Sequence, residues 1–245
     1  MSEPILELRG VTVRFGGITA VSAVDLEVAA GETVGLIGPN GAGKTTLFNV
    51  ITGTLRPAAG TVRLRGERIS GLRPSQIARR GLRRTYQIVR PFPSLSLLEN
   101  VLIGAIFSDG GGGHGGAARE RAREMLATVG LADKADMLAR DLNLAEKKKL
   151  DLARALAADP AVLLLDEVLA GLNPTEIDRS LDLLERIQRS QGKTIVMVEH
   201  VMRAIMRISR RVVVLHHGEK IADGPPEAVA RDPRVIEAYL GEPIA

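Results

Sequence analysis

The chain of 245 residues contains no cysteine and no tryptophan, and aromatic residues make up only 2% of it. Without cysteine, disulfide bonds and cysteine-ligated zinc sites are excluded, which is compatible with a reducing compartment. Long apolar runs are also missing: AVLLL at 161–165 is far shorter than the roughly 20 residues that a membrane-spanning helix needs. MSEPILELRG at the start lacks the basic segment and apolar core of a signal peptide. We therefore expect a soluble, cytoplasmic protein.

The composition is otherwise that of an ordinary globular protein. Apolar residues account for 45% of the chain and charged residues for 25%, which favours a sizeable core over a disordered chain. The length suits one large α/β domain. The net charge of +4, from 33 basic and 29 acidic residues, is compatible with many kinds of partner and selects none of them.

Three regions differ in the spacing of their apolar residues. Residues 1–37 and 60–69 alternate apolar and polar side chains, which predicts an antiparallel β layer. Residues 74–157 have a mainly helical pattern. From 161 onward, apolar strands such as KTIVMV alternate with helices such as NPTEIDRSLDLLERIQRS, which is typical of a parallel sheet with crossover helices.

Residues that favour helix ends mark several boundaries. Ser96 and Glu99 form a capping-box pattern, and Gly130 follows the helical stretch AREMLATV. Asn173 suits the cap of a helix that begins with the next residue, a proline. DGGGGHGG at 109–116 would lose too much backbone entropy on ordering, so we expect a flexible surface loop there.

The stretch GPNGAGKT lies between the apolar strand TVGLI and the helical stretch TLFNVITG. This is the setting of a phosphate-binding loop, in which glycines let backbone N–H groups converge on phosphates at a helix N-terminus. Lys44 is expected to reach the β- and γ-phosphate oxygens, and the Thr45 hydroxyl to bind Mg²⁺. The predicted nucleotide-binding residues of this loop are Gly38, Pro39, Asn40, Gly41, Ala42, Gly43, Lys44, Thr45 and Thr46.

The pair Asp166 and Glu167 directly follows the apolar run AVLLL. A continuous apolar run predicts a strand buried on both faces, and open α/β sheets bind ligands at the carboxyl ends of such strands. Phosphoryl transfer needs a carboxylate at the metal and a group that orients the attacking water, roles that we assign to Asp166 and Glu167 respectively. Alone, the pair fits a helix cap equally well; beside the phosphate loop, the catalytic role is favoured.

His200 follows the strand KTIVMV, with Glu199 between them, so its side chain is expected at the same sheet edge within reach of the γ-phosphate. An isolated histidine more often has an ordinary surface role, which is our interpretation of His114, His216 and His217. The last two lie in HHGE, a predicted hairpin turn.

Six motifs follow one another along the chain: the glycine loop, Gln87 after RRTY, a basic helix start near 143, LLLDE, AGLNP and EHV. In this order they resemble the ATP-binding subunit of ABC transporters over essentially the whole chain. The resemblance implies a single domain over 1–245, an α/β P-loop NTPase of the ABC ATPase type. Its mostly parallel core sheet would carry an antiparallel β subdomain and a helical subdomain at about 88–157.

The same resemblance implies ATP and Mg²⁺ as cofactors, and two ATP-binding subunits that face each other head to tail. Each ATP would lie between the phosphate loop of one subunit and the signature helix of the other. Gln87 would contact Mg²⁺ together with Thr45 and Asp166, and would sense the membrane subunit. Phe15 would stack on adenine, although a place in the core suits it equally well.

The signature of this family, usually Leu-Ser-Gly-Gly-Gln, falls on Leu142 to Glu146, where only the leucine is kept. Asn143 still suits a helix cap and Glu146 its reciprocal partner. Leucine and alanine replace the glycine pair, and Asn173 stands where the family normally has aspartate. The residues that the resemblance places at the γ-phosphate of the opposite subunit are Asn143, Leu144, Ala145 and Glu146.

Lys147 to Lys149 follow at a helix start, where each cation is disfavoured by roughly 0.3–1 kcal/mol. We expect the γ-phosphate of the opposite subunit, together with Glu146 and Asp151, to offset these charges. A solvated basic face is the alternative.

Within the family, RTYQIVRPFPSLSLLENV, VEHVMRAIM and DPRVIEAYLG look like the subunits of bacterial branched-chain amino-acid importers. This implies two transmembrane permease subunits, a second ATP-binding subunit that is identical or paralogous, and, indirectly, an extracytoplasmic substrate-binding protein. The chain would sit peripherally on the cytoplasmic face of the inner membrane. The segment after Gln87 would line the groove that receives a short permease helix, with helical core as the alternative for its apolar residues.

Two other functions remain open at this point. The cargo of the same motor could be urea, short amides or other amino acids. A non-transport ATPase acting on nucleic acid or ribosomes is encouraged by ARRGLRRTY, with Arg79, Arg80, Arg83 and Arg84, but such proteins usually carry tandem cassettes. We therefore expect no nucleic acid among the partners.

Overall fold

The computed structural model describes residues 3–106 and 115–240. Its strands are β1 Leu6–Phe15, β2 Ile18–Val28, β3 Thr33–Ile37, β4 Ala59–Leu64, β5 Glu67–Arg68, β6 Leu82–Arg84, β7 Val162–Asp166, β8 Thr194–Val198, β9 Arg211–His216 and β10 Glu219–Gly224. Its α-helices are α1 Lys44–Ile51, α2 Pro74–Arg79, α3 Leu97–Ile106, α4 Gly116–Thr128, α5 Leu144–Ala157, α6 Pro174–Gln191, α7 Met202–Ile208, α8 Pro226–Val229 and α9 Pro233–Leu240. Most of the predicted flexible loop at 109–116 lies outside the described residues.

The first sheet is the predicted antiparallel layer. Its strand order is β2-β1-β4-β5, and every neighbouring pair is antiparallel. Leu6 and Leu8 of β1 and Val62 and Leu64 of β4 are buried, while the residues between them are more exposed. The alternation in the sequence therefore identified the inner face of this sheet correctly.

The second sheet has the strand order β10-β9-β3-β8-β7-β6. Its pairs are parallel except for the edge strand β10, which is antiparallel to β9. The central strands β3, β8 and β7 are buried along their whole length, as their continuous apolar runs predict. Because they are parallel neighbours, their carboxyl ends meet at one edge of the sheet.

Two hydrophobic cores lie on opposite faces of this second sheet. In β7, Val162 and Leu164 belong to the core shared with the antiparallel sheet and α1. Leu163 and Leu165 belong to the core shared with helices α3 to α7. Because alternate residues of a strand point to opposite faces, residues 162–165 face one core or the other, and all four of them must be apolar.

One strand was missed in the region predicted to be helical. Leu82–Arg84 forms β6, whose residues pair in parallel with Val162 to Leu164 of β7. The strand has only three residues and two of them are arginines, so it carries neither alternation nor an apolar run. Pairing with β7, which is far away in the sequence, decides its conformation.

The predicted helix ends are confirmed. The Ser96 N–H donates to Glu99 Oε2 over 2.7 Å, and the Glu99 N–H donates to Ser96 Oγ over 3.2 Å. Asn173 caps α6 through a 3.0 Å bond from the Glu176 N–H, and Gly130 ends α4 with a φ of 72°. The predicted hairpin turn after β9 is also present. No helix within residues 3–106 and 115–240 combines the length and the apolar character needed to cross a membrane.

Helices α3, α4 and α5 pack against one another and all lie within 88–157, where a helical subdomain was expected. Gly104 of α3 lies against the backbone of α5. A Cβ atom on Gly104 would lie 2.2 Å from the carbonyl oxygen of Arg154 in α5. Only a residue without a side chain fits this helix crossing, because the obstacle is backbone.

We predict that Gly104→Ala destabilises the protein by about 1–3 kcal/mol, because α3 and α5 must move apart to admit the methyl group. Urea unfolding of the two proteins measures this difference. Gly17→Ala is the matched control, since a Cβ there meets nothing within 4 Å. Equal stability of Gly104→Ala and Gly17→Ala would contradict the close packing of α3 on α5.

Candidate functional site

The predicted phosphate loop connects the end of β3 to the start of α1. Gly38, Gly41 and Gly43 have φ values of 149°, 80° and 103°, a conformation that other residues adopt only with strain. A Cβ on Gly38 would lie 2.1 Å from the Leu215 carbonyl oxygen, and one on Gly43 would lie 2.6 Å from the Ala20 carbonyl oxygen. These two glycines are therefore required by the backbone packed beneath the loop.

The loop leaves backbone donors without acceptors. Gly43, at the N-cap of α1, has no side chain to cap the helix, and the bond that closes the first turn runs from the Leu47 N–H to the Gly43 carbonyl. Among the described residues, the N–H groups of Lys44, Thr45 and Thr46 have no acceptor. A helix N-terminus with free N–H groups attracts anions, so the loop fits a phosphate group.

Lys44 is only 6% exposed and lies back over its own loop. Its Nζ donates to the carbonyl oxygens of Gly38 and Pro39 over 2.6 and 2.9 Å. Burial lowers the pKa of Lys44, while the charges of Glu167 and Asp166 partly raise it again. The ammonium group therefore belongs to the same electrostatic site as the predicted acidic pair.

The three predicted Mg²⁺ ligands lie along one cleft. Thr45, Gln87 and Asp166 line a cleft of about 910 Å³ between the second sheet and the helices α3 and α5. Their hydroxyl, amide and carboxylate oxygens are hard donors of the kind that Mg²⁺ prefers. The donor set of this cleft therefore fits the metal that a bound nucleotide would bring.

Glu167 is the centre of the hydrogen bonds at the sheet edge. Its Oε1 accepts a bond from His200 Nε2 over 2.9 Å, and its Oε2 accepts a bond from Gln87 Nε2 over 2.6 Å. Its own backbone N–H donates to the Val198 carbonyl over 2.9 Å, and its φ is 49°. Residues predicted from three separate motifs thus meet on one carboxylate, held by a backbone conformation that costs energy.

Glu199 has a role that the sequence reasoning missed, since it was treated only as the residue before His200. It is 3% exposed, and its Oε1 accepts a 2.7 Å bond from the Leu169 N–H in the loop after Glu167. Burial raises the pKa of Glu199 to about 7, and the Leu169 N–H and the charge of Lys148 counteract this rise. An acidic residue directly after a fully apolar strand is the signal that could have found it.

One of the three lysines of α5, Lys148, has another partner than expected. Glu146 forms an ion pair with Lys134, which does not belong to the triplet. Lys148 instead turns back into its own subunit, where its Nζ donates to the Glu167 carbonyl over 3.2 Å. Burial lowers the pKa of Lys148, and the nearby charges of Glu199, Glu167 and Asp151 raise it in part.

One expectation about the triplet is therefore corrected, because a uniformly solvated basic face is wrong for Lys148. The expected help of Glu146 is confirmed for Lys149, whose charge contributes to lowering the pKa of Glu146. The expected help of Asp151 is confirmed, because the charge of Asp151 favours protonated Lys148.

The signature residues form the predicted cap but stand apart from the phosphate loop of their own chain. The Glu146 N–H donates to Asn143 Oδ1 over 2.9 Å, and the Asn143 N–H donates to Glu146 Oε2 over 3.1 Å. Asn143 and Leu144 are exposed, and Ala145 and Glu146 partly so. Among the hydrogen bonds and ion pairs of residues 3–106 and 115–240, none joins this cap to residues 38–46.

Phe15 is 53% exposed at the turn between β1 and β2, so the alternative of a core residue is wrong. It pairs with Ile18, which is also exposed. Two residues further along β2, Ala20 packs under Gly43 of the phosphate loop. An apolar surface therefore lies next to the loop, where a stacked base is expected.

Two of the four arginines in the arginine-rich stretch are engaged within the fold, whereas Arg79 and Arg80 are exposed. Arg84 is buried beside Asp166, Arg83 donates to the Ala78 carbonyl, and Arg80 donates to an acidic side chain and a backbone carbonyl. Nucleic-acid binding needs exposed cations that reach phosphates. The alternative of a nucleic-acid ATPase thus loses the support of Arg83 and Arg84, which are not exposed.

Comparison with known proteins identifies the family of the chain. A model of the ABC transporter family matches residues 21–170, which is more than half of the chain. A model of the branched-chain amino acid ATP-binding cassette transporter matches residues 219–245. The chain is 41% identical over 254 residues to BraF of Pseudomonas aeruginosa, a high-affinity branched-chain amino acid transport ATP-binding protein, covering 99% of this chain and 100% of BraF.

Solved structures show the same architecture. MJ1267, an ATP-binding cassette of an ABC transporter in its ADP conformation, has a TM-score of 0.89 and 29% identity, covering 98% of this chain and 100% of that one. The dimeric structure of MJ0796, a bacterial ABC transporter cassette, has a TM-score of 0.79 and 28% identity, covering 90% and 98%. With its phosphate loop, acidic pair and histidine at one sheet edge, the chain belongs to the ABC transporter family and is one of its ATP-binding cassettes.

Proposed function

We propose that this protein is the ATP-hydrolysing subunit of a membrane importer for branched-chain amino acids. The observation that carries the hydrolytic role is the Glu167 carboxylate, bonded to both His200 and Gln87 at the sheet edge that bears the phosphate loop. The cargo rests on the 41% identity to BraF over nearly the whole chain.

Each residue of the site has a distinct task in this proposal. Backbone N–H groups of the phosphate loop, among them those of Lys44, Thr45 and Thr46, and the Lys44 ammonium bind the phosphates, and Phe15 stacks on the adenine. Thr45, Gln87 and Asp166 would hold Mg²⁺, which would neutralise charge on the phosphate oxygens. The free donors at α1 and the oxygen donors in one cleft support this assignment.

Glu167 takes the proton of the attacking water, and His200, whose Nε2 bonds to Glu167 Oε1, contacts the γ-phosphate. Gln87 holds Oε2 from the opposite side, so the carboxylate is oriented before water arrives. Lys148 and Glu199 secure the backbone around this group, one at the Glu167 carbonyl and the other at the Leu169 N–H. The site thus has a preorganised base.

The active form in this proposal is a head-to-tail pair of cassettes. Asn143, Leu144, Ala145 and Glu146 would meet the γ-phosphate held by the opposite subunit, since they are accessible and do not bond to their own phosphate loop. The ion pair between Lys134 and Glu146 keeps the cap in place, while the N–H groups of Leu144 and Ala145 have no acceptor among the described residues. The dimeric cassette MJ0796 supports pairing of this kind.

The remaining partners follow from the transport role. Two permease subunits would carry the cargo, an extracytoplasmic binding protein would deliver it, and the chain would lie on the cytoplasmic face of the inner membrane. The exposed residues Ile88 and Phe92 of the segment after Gln87 would receive a permease helix, whereas Leu97 and Leu98 are core. The whole chain would act as one domain, with about 88–157 as its helical subdomain.

Glu167→Gln should abolish the base while keeping the shape of the side chain. We expect ATP binding to stay within about threefold of the original protein and hydrolysis to fall about 100-fold or more. Nucleotide binding by calorimetry and phosphate release measure the two effects. Glu120→Gln, on the exposed face of α4, is the control, and undiminished turnover by Glu167→Gln would remove Glu167 from the base role.

The cargo is tested with the complete importer in vesicles. ATP hydrolysis should rise when the binding protein carries leucine, isoleucine or valine, because receptor docking closes the cassettes. Urea, short amides and other amino acids serve as comparison ligands, and Glu167→Gln sets the background rate. Stimulation by urea or an amide without stimulation by leucine would assign the same motor to another cargo.

The raised pKa of Glu199 predicts a pH-dependent stability. Between pH 4.5 and about 7 the unfolded chain ionises Glu199 while the folded protein does not, so the native state loses stability as pH rises. The unfolding free energy of Glu199→Gln minus that of the original protein should therefore be about 2–3 kcal/mol larger at pH 8 than at pH 5. Urea unfolding at both pH values measures this, with Glu120→Gln as control. If the difference in unfolding free energy between Glu199→Gln and the original protein were the same at both pH values, the burial of an ionisable Glu199 would be contradicted.

A further inference from the structure

Arg84 joins three elements of the nucleotide site. It ends β6, and its side chain is 5% exposed. Its Nη2 donates to Asp166 Oδ2 over 2.5 Å, and its Nη1 donates to Asn49 Oδ1 of α1 over 2.7 Å. The guanidinium carbon lies 5.0 Å from the ring centre of Tyr86, the residue before Gln87.

This arrangement fixes the guanidinium in one place. The ring centre of Phe48, also in α1, lies 5.4 Å from the guanidinium carbon, so two aromatic rings contact the group. Its Nε has no hydrogen-bond partner among the described residues, so the two terminal nitrogens form the whole bridge. A lysine has one nitrogen and no planar fork, and it could not bond Asp166 and Asn49 while stacking on the rings.

The bridge acts on the carboxylate that would hold Mg²⁺. Asp166 side-chain exposure is only 8%, so its charge is shielded little by water and its ion pair with Arg84 is strong. The pair occupies Oδ2, and the orientation of Oδ1 follows from it. The same guanidinium contacts Tyr86, the residue before Gln87. One side chain therefore contacts both Asp166, which would hold Mg²⁺, and the start of the Gln87 segment.

We propose that Arg84 is a positioning residue of the ATPase site, which orients Asp166 through Oδ2 and anchors the start of the Gln87 segment through Tyr86. This rests on the proposed function, since it assumes that Asp166 and Gln87 act on a magnesium nucleotide. The arginine whose place in the sequence suggested nucleic-acid binding thus serves the metal carboxylate instead.

Arg84→Lys, which keeps the charge and removes the fork, tests this role. In a Glu167→Gln background, which prevents turnover, the Kd for ATP is measured by calorimetry with Mg²⁺ and with a chelator. The Mg²⁺ effect is the ratio of the Kd for ATP without Mg²⁺ to the Kd with Mg²⁺. We expect Arg84→Lys to reduce this ratio about 10–100-fold, because a residue that supports a metal ligand typically contributes this much. Binding without Mg²⁺ should stay within about threefold, since the phosphate loop is untouched.

Arg79→Lys is the matched control, because Arg79 is an exposed arginine that lines the same cleft. It should retain the full effect of Mg²⁺. Thermal unfolding of each variant shows whether it is folded. If Arg84→Lys does not fold, Asn49→Ala decides, because it removes one anchor of the guanidinium and leaves every charge in place; it should reduce the Mg²⁺ effect in the same direction.

An Mg²⁺ effect equal to that of the Arg79→Lys control, in folded Arg84→Lys or in Asn49→Ala, overturns the positioning role. This outcome is distinct from failure of the proposed function. If the proposed function were wrong, the protein with Arg84 intact would itself bind ATP no more tightly with Mg²⁺ than without it. An equal loss of affinity with and without Mg²⁺ would also overturn the proposal, because it would indicate general damage to the nucleotide pocket.

Discussion

The side-by-side order of β3, β8 and β7 is the constraint on which the site depends. Each of these parallel strands ends at the same sheet edge with a functional segment: the phosphate loop, Glu199 with His200, and Asp166 with Glu167. The bond between Glu167 Oε1 and His200 Nε2, 2.9 Å long, exists because β7 and β8 are hydrogen-bonded neighbours. A shift of one residue in either register would move these side chains to opposite faces of the sheet.

Charge balance is the second requirement, because this edge gathers three carboxylates in a small, poorly hydrated space. Each carboxylate has a cation nearby: Arg84 at Asp166, Lys44 beside the acidic pair, and Lys148 near Glu199. Glu199 has no direct ion pair among the described residues, and it is the carboxylate with the strongly raised pKa. The cations come from α1, β6 and α5, so electrostatics couples elements that are far apart in the sequence.

The residues with local signals were predicted well from the sequence. The glycines of the phosphate loop, the Asp166–Glu167 pair and His200 follow apolar strands, and strand ends of a parallel sheet are where ligands bind. The Asn143 and Asn173 caps need only residues three positions apart. By contrast, β6, the partner of Lys148 and the burial of Arg84 and Glu199 were missed, since each depends on a contact between distant parts of the chain.

The sequence by itself determined the family, the phosphate loop, the strand-end carboxylates and the helix caps, because glycine positions, apolar periods and capping residues act over a few neighbours. Only the tertiary structure decided which charges meet. Lys148 could have faced solvent and Arg84 could have served a basic surface. The pairing of β6 with β7 and the packing of α5 against the sheet place both cations beside carboxylates, where low hydration makes such contacts strong.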